Sequence, residues 1–381
     1  MNGLQILYQY GDSLKVLRFI KKNTVFCIAA IAAIVTCFLV PPDRAYLDYF
    51  DFKTLSCLFL TLAVVCALRN IKFFTILARK LVSLAGNLRS LFLLLIIITF
   101  IGSMIIANDM ALITFLPLGY FALSVTKQEK YMAYLFVLQN ISANLGGMLT
   151  PFGNPQNLYL YSYFNIPTGE FCRIMLPAFI LAVLLLIIAC IPLKPIKFSL
   201  NDNFYEKLNI KKTILYCILF LFSILIVFRV IPFIIGLLLI PAILFFVDRD
   251  ALKMVDYCLL GTFFFFFIFA GNLARLDSVN TLISSLLQKD TLIVSILSCQ
   301  FISNVPSAVL LSRFTGDYAA LLLGVNIGGT GTLIASLASL ITFSEFKVLY
   351  PKETKKYICI FTAVNIVFLV ILTAATKLFW L

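Results

Sequence analysis

The chain has 381 residues, 62% of them hydrophobic and 12% charged, a balance that excludes a soluble globular protein and points to an integral membrane protein. Its net charge of +13 does not indicate a nucleic-acid partner, because the basic residues cluster in short segments between apolar runs, as the positive-inside rule describes. The absence of histidine excludes a His-based metal site or triad, and the ten cysteines, scattered without a C-x-x-C pair, read as small hydrophobes.

Residues 1–23 carry Lys15, Arg18, Lys21 and Lys22 and read as a cytoplasmic amphipathic segment. A first span covers 24–41; it ends in Pro41-Pro42-Asp43 without the small-residue site of a cleavable signal. A net acidic outer loop leads to a span over 52–68. Residues 69–90 hold Arg69, Lys72, Arg79, Lys80 and Arg89 among apolar residues, the pattern of a helix in the inner interface. Two apolar arms over 91–125 flank Asn108-Asp109 and predict a re-entrant hairpin entering from the cytoplasm. A broken helix follows over 131–165, then a span over 171–192. The segment 193–212, with Lys194, Lys197, Lys207, Lys211 and Lys212, is a cytoplasmic linker.

Spans over 213–228, 231–247 and 257–272 follow, the last with a five-Phe run from Phe263 to Phe267 that reads as lipid-facing bulk. An outer amphipathic stretch over 273–290 precedes a second hairpin, 291–315, entering from outside. Arg275, Asp277, Arg313 and Asp317 read as an outer surface charge cluster. A second broken helix, 317–342, and a last span, 357–380, complete the chain. The prediction is an all-α polytopic membrane protein of about ten spans at ~20 residues each. It has two inverted repeats, 24–192 and 213–381, each with a re-entrant hairpin and a broken transmembrane helix. The N-terminus is expected in the cytoplasm and the protein in a bacterial inner membrane.

The first break is the most informative stretch. Gly146, Gly147, Pro151, Gly153 and Pro155 fall within ten residues, and a straight helix would lose roughly 9 kcal/mol to them. The same window carries Asn140, Asn144, Thr150, Asn154, Gln156 and Asn157. Non-helical backbone at membrane depth persists only where it is buried in protein or lines a wet cavity. At one constant offset, Asn144-Leu145-Gly146-Gly147 matches Asn326-Ile327-Gly328-Gly329, Thr150 matches Thr332, and Asn154 and Asn157 fall opposite Ser336 and Ser339. Three glycines without a proline predict a less sharp second break. The tips Asn108-Asp109 and Ser303-Asn304 interrupt the preceding apolar runs. Paired interruptions in two halves point to a transporter's binding site at the midplane.

ANDMALITFLPL, ANLGGMLTPFGNPQNL, SNVPSAVLL and GVNIGGTGTLIASLASL resemble the ion-transporter superfamily, which includes citrate and dicarboxylate transporters, arsenite-efflux permeases and related anion permeases. The resemblance runs from about residue 24 onward and implies that two hairpin tips and two unwound helices enclose substrate and coupling ion, moving elevator-like against a dimeric scaffold. Sodium-coupled dicarboxylate members carry Ser-Asn-Thr at both tips; here the tips read Ala107-Asn108-Asp109 and Ser303-Asn304-Val305. The N-D…P form of the first tip and the G-N-P-x-N block at 153–157 look closer to the arsenite-permease branch.

The expected substrate- and ion-binding set is Asn108, Asp109, Asn144, Gly146, Gly147, Thr150, Gly153, Asn154, Asn157, Ser303, Asn304, Asn326, Gly328, Gly329, Thr332 and Ser336, with Ser339 beside them. No Lys or Arg lies at either tip or in either broken segment. Binding would therefore rest on amides and on helix N-termini, which favour anions. A coupling Na⁺ near Asn108, Asn144, Asn304 and Asn326 is one expectation, and a proton another. Asp109 is the sole acid between Asp51 and Glu129. It is either a coupling group, since an intramembrane acid marks function, or a helix cap. Asn144 and Asn326 are either ligands or half-helix caps. No cofactor and no enzymatic chemistry are expected. The partners are a small anion, a coupling cation, the bilayer and a second copy in a homodimer. A cation/proton antiporter on the same scaffold, or arsenite-type efflux, is the alternative.

Overall fold

A computed structural model describes Phe19, residues 23–198 and residues 208–379. Apart from Phe19 and Asn23, the predicted amphipathic segment at 1–23 falls outside the described residues, as does the middle of the predicted linker. Among those described, the secondary structure is helical apart from one isolated bridge between Asn87 and Lys197.

In chain order the helices are α1 (Thr24–Leu39), α2 (Phe52–Asn70), α3 (Phe73–Val82), α4 (Leu88–Ile106), α5 (Asn108–Val125), α6 (Met132–Gly146), α7 (Pro155–Tyr163), α8 (Thr168–Cys190) and α9 (Ile210–Val227). They continue with α10 (Phe233–Val247), α11 (Arg249–Lys253), α12 (Tyr257–Ala274), α13 (Asp277–Lys289), α14 (Thr291–Ile302), α15 (Asn304–Leu311), α16 (Tyr318–Ile327), α17 (Leu337–Leu349) and α18 (Thr354–Phe379). Seven described helices are long and apolar enough to cross a membrane: α2, α4, α5, α8, α9, α12 and α18, the last counted from Pro351. Four more, α1, α10, α14 and α16, are apolar but shorter. The chain is an all-α polytopic membrane protein.

Polar residues at the ends of the apolar runs set the helix starts. Asp51 accepts the Thr54 N–H at 2.9 Å, Asp256 that of Leu259 at 2.9 Å, Asp290 that of Ile293 at 3.0 Å and Asp317 that of Ala320 at 3.1 Å. Asn87 and Ser90 form a reciprocal capping box at the head of α4. Each cap supplies an acceptor to a first-turn N–H that the helix cannot satisfy itself.

α4 and α5 form the first hairpin and α14 and α15 the second. Each folds back through one residue in the same unusual conformation: Ala107 at φ 66°, ψ 153° and Ser303 at φ 76°, ψ 159°. This region of backbone space is nearly reserved for glycine and costs a side-chain-bearing residue about 1–3 kcal/mol. Here the residue after each bend helps to fix it. The Asn108 Oδ1 accepts the Asp109 N–H at 2.9 Å, and the Asn304 Oδ1 accepts the Val305 N–H at 2.9 Å.

The first broken helix runs α6, a 3-10 turn over Gly147–Leu149, an irregular stretch to Asn154, then α7. The second runs α16, a stretch over 328–336, then α17. The expectation of a gentler second break is not met: no residue over 328–336 is helical, whereas the first break keeps a 3-10 turn over Gly147–Leu149. Gly331, at φ 123°, takes a conformation outside the helical region without any proline.

The five-Phe run also departs from its reading as lipid-facing bulk. Phe263 and Phe267 are fully buried and Phe266 nearly so, while Phe264 is exposed. α12 packs along α1 and also meets α7, where the Tyr159 ring lies 5.6 Å from that of Phe267. At 3.6 residues per turn, five consecutive positions go round the helix, so a run of five cannot all face one medium.

Of the four charged residues expected as one outer cluster, Arg275 and Arg313 both bond Tyr49, at its hydroxyl and its carbonyl, while the two acids serve their own helices. Arg275 holds Asp43 through two hydrogen bonds of 3.0 and 2.7 Å. Arg313 donates to the Tyr49 carbonyl at 2.5 Å, Asp317 caps α16, and Asp277 lies in the first turn of α13. The Arg275 guanidinium holds the Asp43 carboxyl below its usual range. A depressed carboxylate stabilises the fold above its unfolded-state pKa and loses that contribution as pH falls through the folded value. Replacing Arg275 with Gln should therefore remove a small stabilising effect seen at neutral pH and leave acid stability unchanged, as read by thermal unfolding across pH. Because the pair is exposed, high salt should mute the difference.

Candidate functional site

The two breaks meet. Asn144, in the last turn of α6, and Asn326, in the last turn of α16, are both buried. One side chain bridges them: the Asn154 Nδ2 donates to the Asn144 carbonyl at 3.1 Å and to the Asn326 Oδ1 at 3.2 Å. Ser336 does the converse, donating to the Asn144 Oδ1 at 2.8 Å. Asn154 and Ser336 are the residues immediately before α7 and α17, both extended. Each second half-helix thus begins with a residue that reaches across to the asparagine ending the opposite first half-helix. Asn144 also donates to the Gly329 carbonyl at 3.5 Å, and Asn326 donates to the Asn157 Oδ1 at 2.6 Å. Gln156 joins from α7, its Nε2 lying 3.3 Å from the Asn326 Oδ1.

The hairpin tips close on this network. The Asn108 Nδ2 donates to the Asn144 Oδ1 at 3.1 Å. The Asn304 N–H donates to the Ala335 carbonyl at 2.9 Å, and the Ser303 hydroxyl to the same oxygen at 3.4 Å. A Cβ added to Gly329 would lie 3.0 Å from the Asn304 Nδ2, so that tip touches the second break directly.

The glycines allow these approaches. A Cβ on Gly146 would lie 2.2 Å from the Phe100 carbonyl oxygen and 2.5 Å from the Ser103 Oγ. One on Gly147 would lie 2.3 Å from the Asn154 Oδ1, and one on Gly153 2.4 Å from the Gly147 carbonyl. Gly328 holds the counterpart of Gly146, facing Cys299 at 3.0 Å. Both glycines let a hairpin arm rest on the end of its own first half-helix.

Thr150 and Thr332 are placed differently from the other predicted residues. The Thr150 hydroxyl donates to the Met104 carbonyl at 2.8 Å and the Thr332 hydroxyl to the Gln300 carbonyl at 3.1 Å. Met104 and Gln300 each precede a bend residue by three positions, so the two contacts are counterparts. Thr332 is exposed and outside the asparagine network. Asn157 serves both breaks: besides accepting from Asn326 it donates to the carbonyls of Gly147 at 3.1 Å and Met148 at 3.2 Å. Ser339 accepts from Asn140 at 3.2 Å.

Several further residues enter through the structure. Gln300 spans the second break, donating to the Gly328 carbonyl at 2.8 Å and accepting the Thr332 N–H at 2.9 Å. Gln139 on α6 donates to Thr99 and to the Phe115 carbonyl, both at 3.1 Å. A lone Gln in an apolar helix was the available signal for each. Arg69, at the end of α2, places its Nη1 3.8 Å from the Met110 sulfur, so a basic side chain does approach the first tip from another helix. Asp109 is partly exposed, and its Oδ1 is buried without a hydrogen-bond partner.

Thr150→Val and Thr332→Val should each cost about 1 kcal/mol, the net worth of one hydrogen bond. The contacts are counterparts, so the two losses should match within error in urea or thermal unfolding. A marked inequality would show that one threonine has a further role.

The family described as citrate transporter matches residues 15–317. The chain belongs to the citrate transporter family. Among its relatives, an uncharacterized transporter of Methanocaldococcus jannaschii is 35% identical over 87% of this chain and 90% of its own length. Inner membrane protein YbiR of Escherichia coli is 27% identical over 86% of this chain and 89% of its own. A silicon efflux transporter of Oryza sativa subsp. japonica is 31% identical over 37% of this chain and 28% of its own. Membership of the citrate transporter family identifies the chain as a membrane transporter, and the broken helices and hairpins give that activity a structural frame.

Four helix N-termini, those of α5, α7, α15 and α17, lie at the tips and breaks. Each carries the partial positive charge of a helix N-terminus, worth up to ~2 kcal/mol toward an anion when partly buried. The C-terminal ends of α4, α6, α14 and α16 lie beside them, with carbonyls suited to a cation. Among the described residues no group of His, Cys, Asp or Glu has the arrangement of a metal site.

Proposed function

We propose that the protein is a secondary active transporter that moves a small anion, a carboxylate or an oxyanion, driven by an ion gradient. The observation that carries this reading is the reciprocal bridge of Asn154 to Asn326 and of Ser336 to Asn144. It brings the ends of four half-helices together around side chains that are amides and hydroxyls. A carrier must bind its cargo firmly enough to select it and loosely enough to release it. Uncharged donors and helix termini meet that need better than a desolvated guanidinium would.

The threonine contacts at Met104 and Gln300 fasten each hairpin to its own broken helix. We infer that hairpins and broken helices move together against the remaining helices, in the manner of an elevator. A homodimeric scaffold in the bacterial inner membrane, with the N-terminus cytoplasmic, fits this arrangement. A second reading, efflux of a small hydroxylated acid such as arsenite, draws on the same uncharged network and on the partial likeness to a silicon efflux transporter.

The test is a thermal-shift screen of the purified protein against citrate, succinate, sulfate, arsenite, silicate and Na⁺, followed by uptake of the stabilising compounds into proteoliposomes. Stabilisation by an anion, abolished in Asn326→Ala, is the expected result. If no anion stabilises the protein and none enters the vesicles, the anion reading is wrong. Stabilisation by Na⁺ alone, with cation-for-proton exchange, would favour the antiporter reading instead.

A further inference from the structure

The two hairpin tips are alike in backbone, in the asparagine that follows the bend and in the hydrogen bond that asparagine makes. They differ at the next residue. The first tip has Asp109 where the second has Val305. A helix-capping role for Asp109 would require its carboxylate to accept a first-turn N–H. No side-chain cap bond forms at the start of α5. The one capping acceptor there is the Asn108 Oδ1, which takes the Asp109 N–H. The Asp109 Oδ1 is buried and unpartnered, while the residue as a whole retains partial exposure. One oxygen faces protein while the rest of the residue keeps some exposure.

The charged groups around this carboxyl do not neutralise it. α5 carries no other charge. α6 carries none, α4 has Arg89 alone, at its far end and bonded to the carbonyls of Ile191 and Leu193. α17 has Glu345 and Lys347 at its far end. The turn Glu129–Tyr131 and Arg79 and Lys80 of α3 belong to the opposite end of α5, where Arg79 lies over the Phe121 ring. Arg69 of α2 points at the Met110 sulfur and makes no ion pair with Asp109. A bare carboxylate so placed would hold one oxygen buried without a donor, an uncompensated charge that taking up a proton removes.

We propose that Asp109 is the proton-carrying group of this transporter, protonated while the first tip is closed and deprotonated when the tip meets water. Uptake forms an O–H bond on the carboxylate as an O–H bond of hydronium breaks, leaving water. Release is the reverse on the other side, and no electron changes hands. Because Val305 cannot titrate, only one of two otherwise similar tips responds to protons. The proposal rests on the transport reading above and names its coupling ion.

Two measurements test it. Infrared spectra of the purified full-length protein at neutral pH are expected to show the carbonyl stretch of a protonated carboxyl. That band should be lost in Asp109→Asn and shifted in frequency in Asp109→Glu. Absence of the band from the wild type, or its persistence unchanged in both variants, overturns the proposal. If the Asn variant does not fold, the Glu variant decides by the same shift. In proteoliposomes loaded with a pH-sensitive dye, each compound of the screen is then added outside. Proton movement accompanying solute entry in the wild type, and reduced at least tenfold in Asp109→Asn, is expected. Solute entry without proton movement overturns the proton role. If neither solute nor protons move, the transport reading fails, and the infrared result still decides whether Asp109 holds a proton.

Discussion

Replacing Asn144 with Ala is expected to disable the protein and to lower its stability by several kcal/mol. The Asn144 Oδ1 accepts from Asn108 and from Ser336, and its Nδ2 donates to the Gly329 carbonyl. The substitution leaves two buried donors and one buried acceptor without their partner. At about 1–3 kcal/mol for each such group, the loss sums to roughly 3 kcal/mol or more. The residue joins the first tip, the first break and the second break, so the functional defect should exceed what the stability loss explains. Asn144→Asp is the sharper test. It keeps the size and both acceptor contacts, but it cannot donate to Gly329 and adds a buried negative charge. Thermal unfolding in detergent, together with uptake of whichever anion the screen selects, measures both effects. If Asn144→Ala unfolded at the wild-type temperature and transported normally, the network described above could not be the site.

Gly146→Ala is the second large effect. Its Cβ would lie 2.2 Å from the backbone oxygen of Phe100 and 2.5 Å from the Ser103 hydroxyl, so α4 would have to move away from α6. Overpacking a tight contact costs about 1–3 kcal/mol and occasionally more, and a clash with backbone leaves little room for relief. We expect a loss at or above the top of that range, with the first tip displaced from Asn144. Gly328→Ala, the counterpart, meets the Gly324 carbonyl at 2.7 Å and Cys299 at 3.0 Å and should cost less. Gly86→Ala, with nothing within 4 Å, should be silent. Thermal unfolding of the three variants should rank them in that order, and equal losses at Gly146 and Gly86 would refute the close-packing argument.

The parts of this fold legible in the sequence are those where one residue type conflicts with its surroundings. Glycine and proline inside an apolar run cannot continue a helix cheaply, so both breaks could be placed to within a few residues. Asparagine in the same runs needs partners, and the repeat offset pointed to Asn144 and Asn326, which the structure brings into one network. What stayed hidden depends on direction rather than on type. Thr150 and Thr332 are polar residues at the breaks, yet their hydroxyls turn toward the hairpin arms. Gln300 lies in an apolar arm and carries no signal beyond being a lone amide, although it spans the second break. The five-Phe run could not reveal which of its rings face α1 and α7. Arg69 is far in sequence from the tip it approaches, and its loop-end position reads as topology. The second break contains Gly331 at φ 123°, a backbone angle that composition does not encode.

The asparagine network has a consequence for affinity. Its donors are already engaged with protein oxygens, so an incoming solute cannot simply add contacts; it must trade places with residents. Each exchange replaces one bond with another of similar strength, for a net gain of about 1 kcal/mol or less. Grip of that kind accumulates slowly and yields quickly, which predicts modest affinity, rapid turnover, and a preference decided by shape and by how many trades a visitor can complete at once.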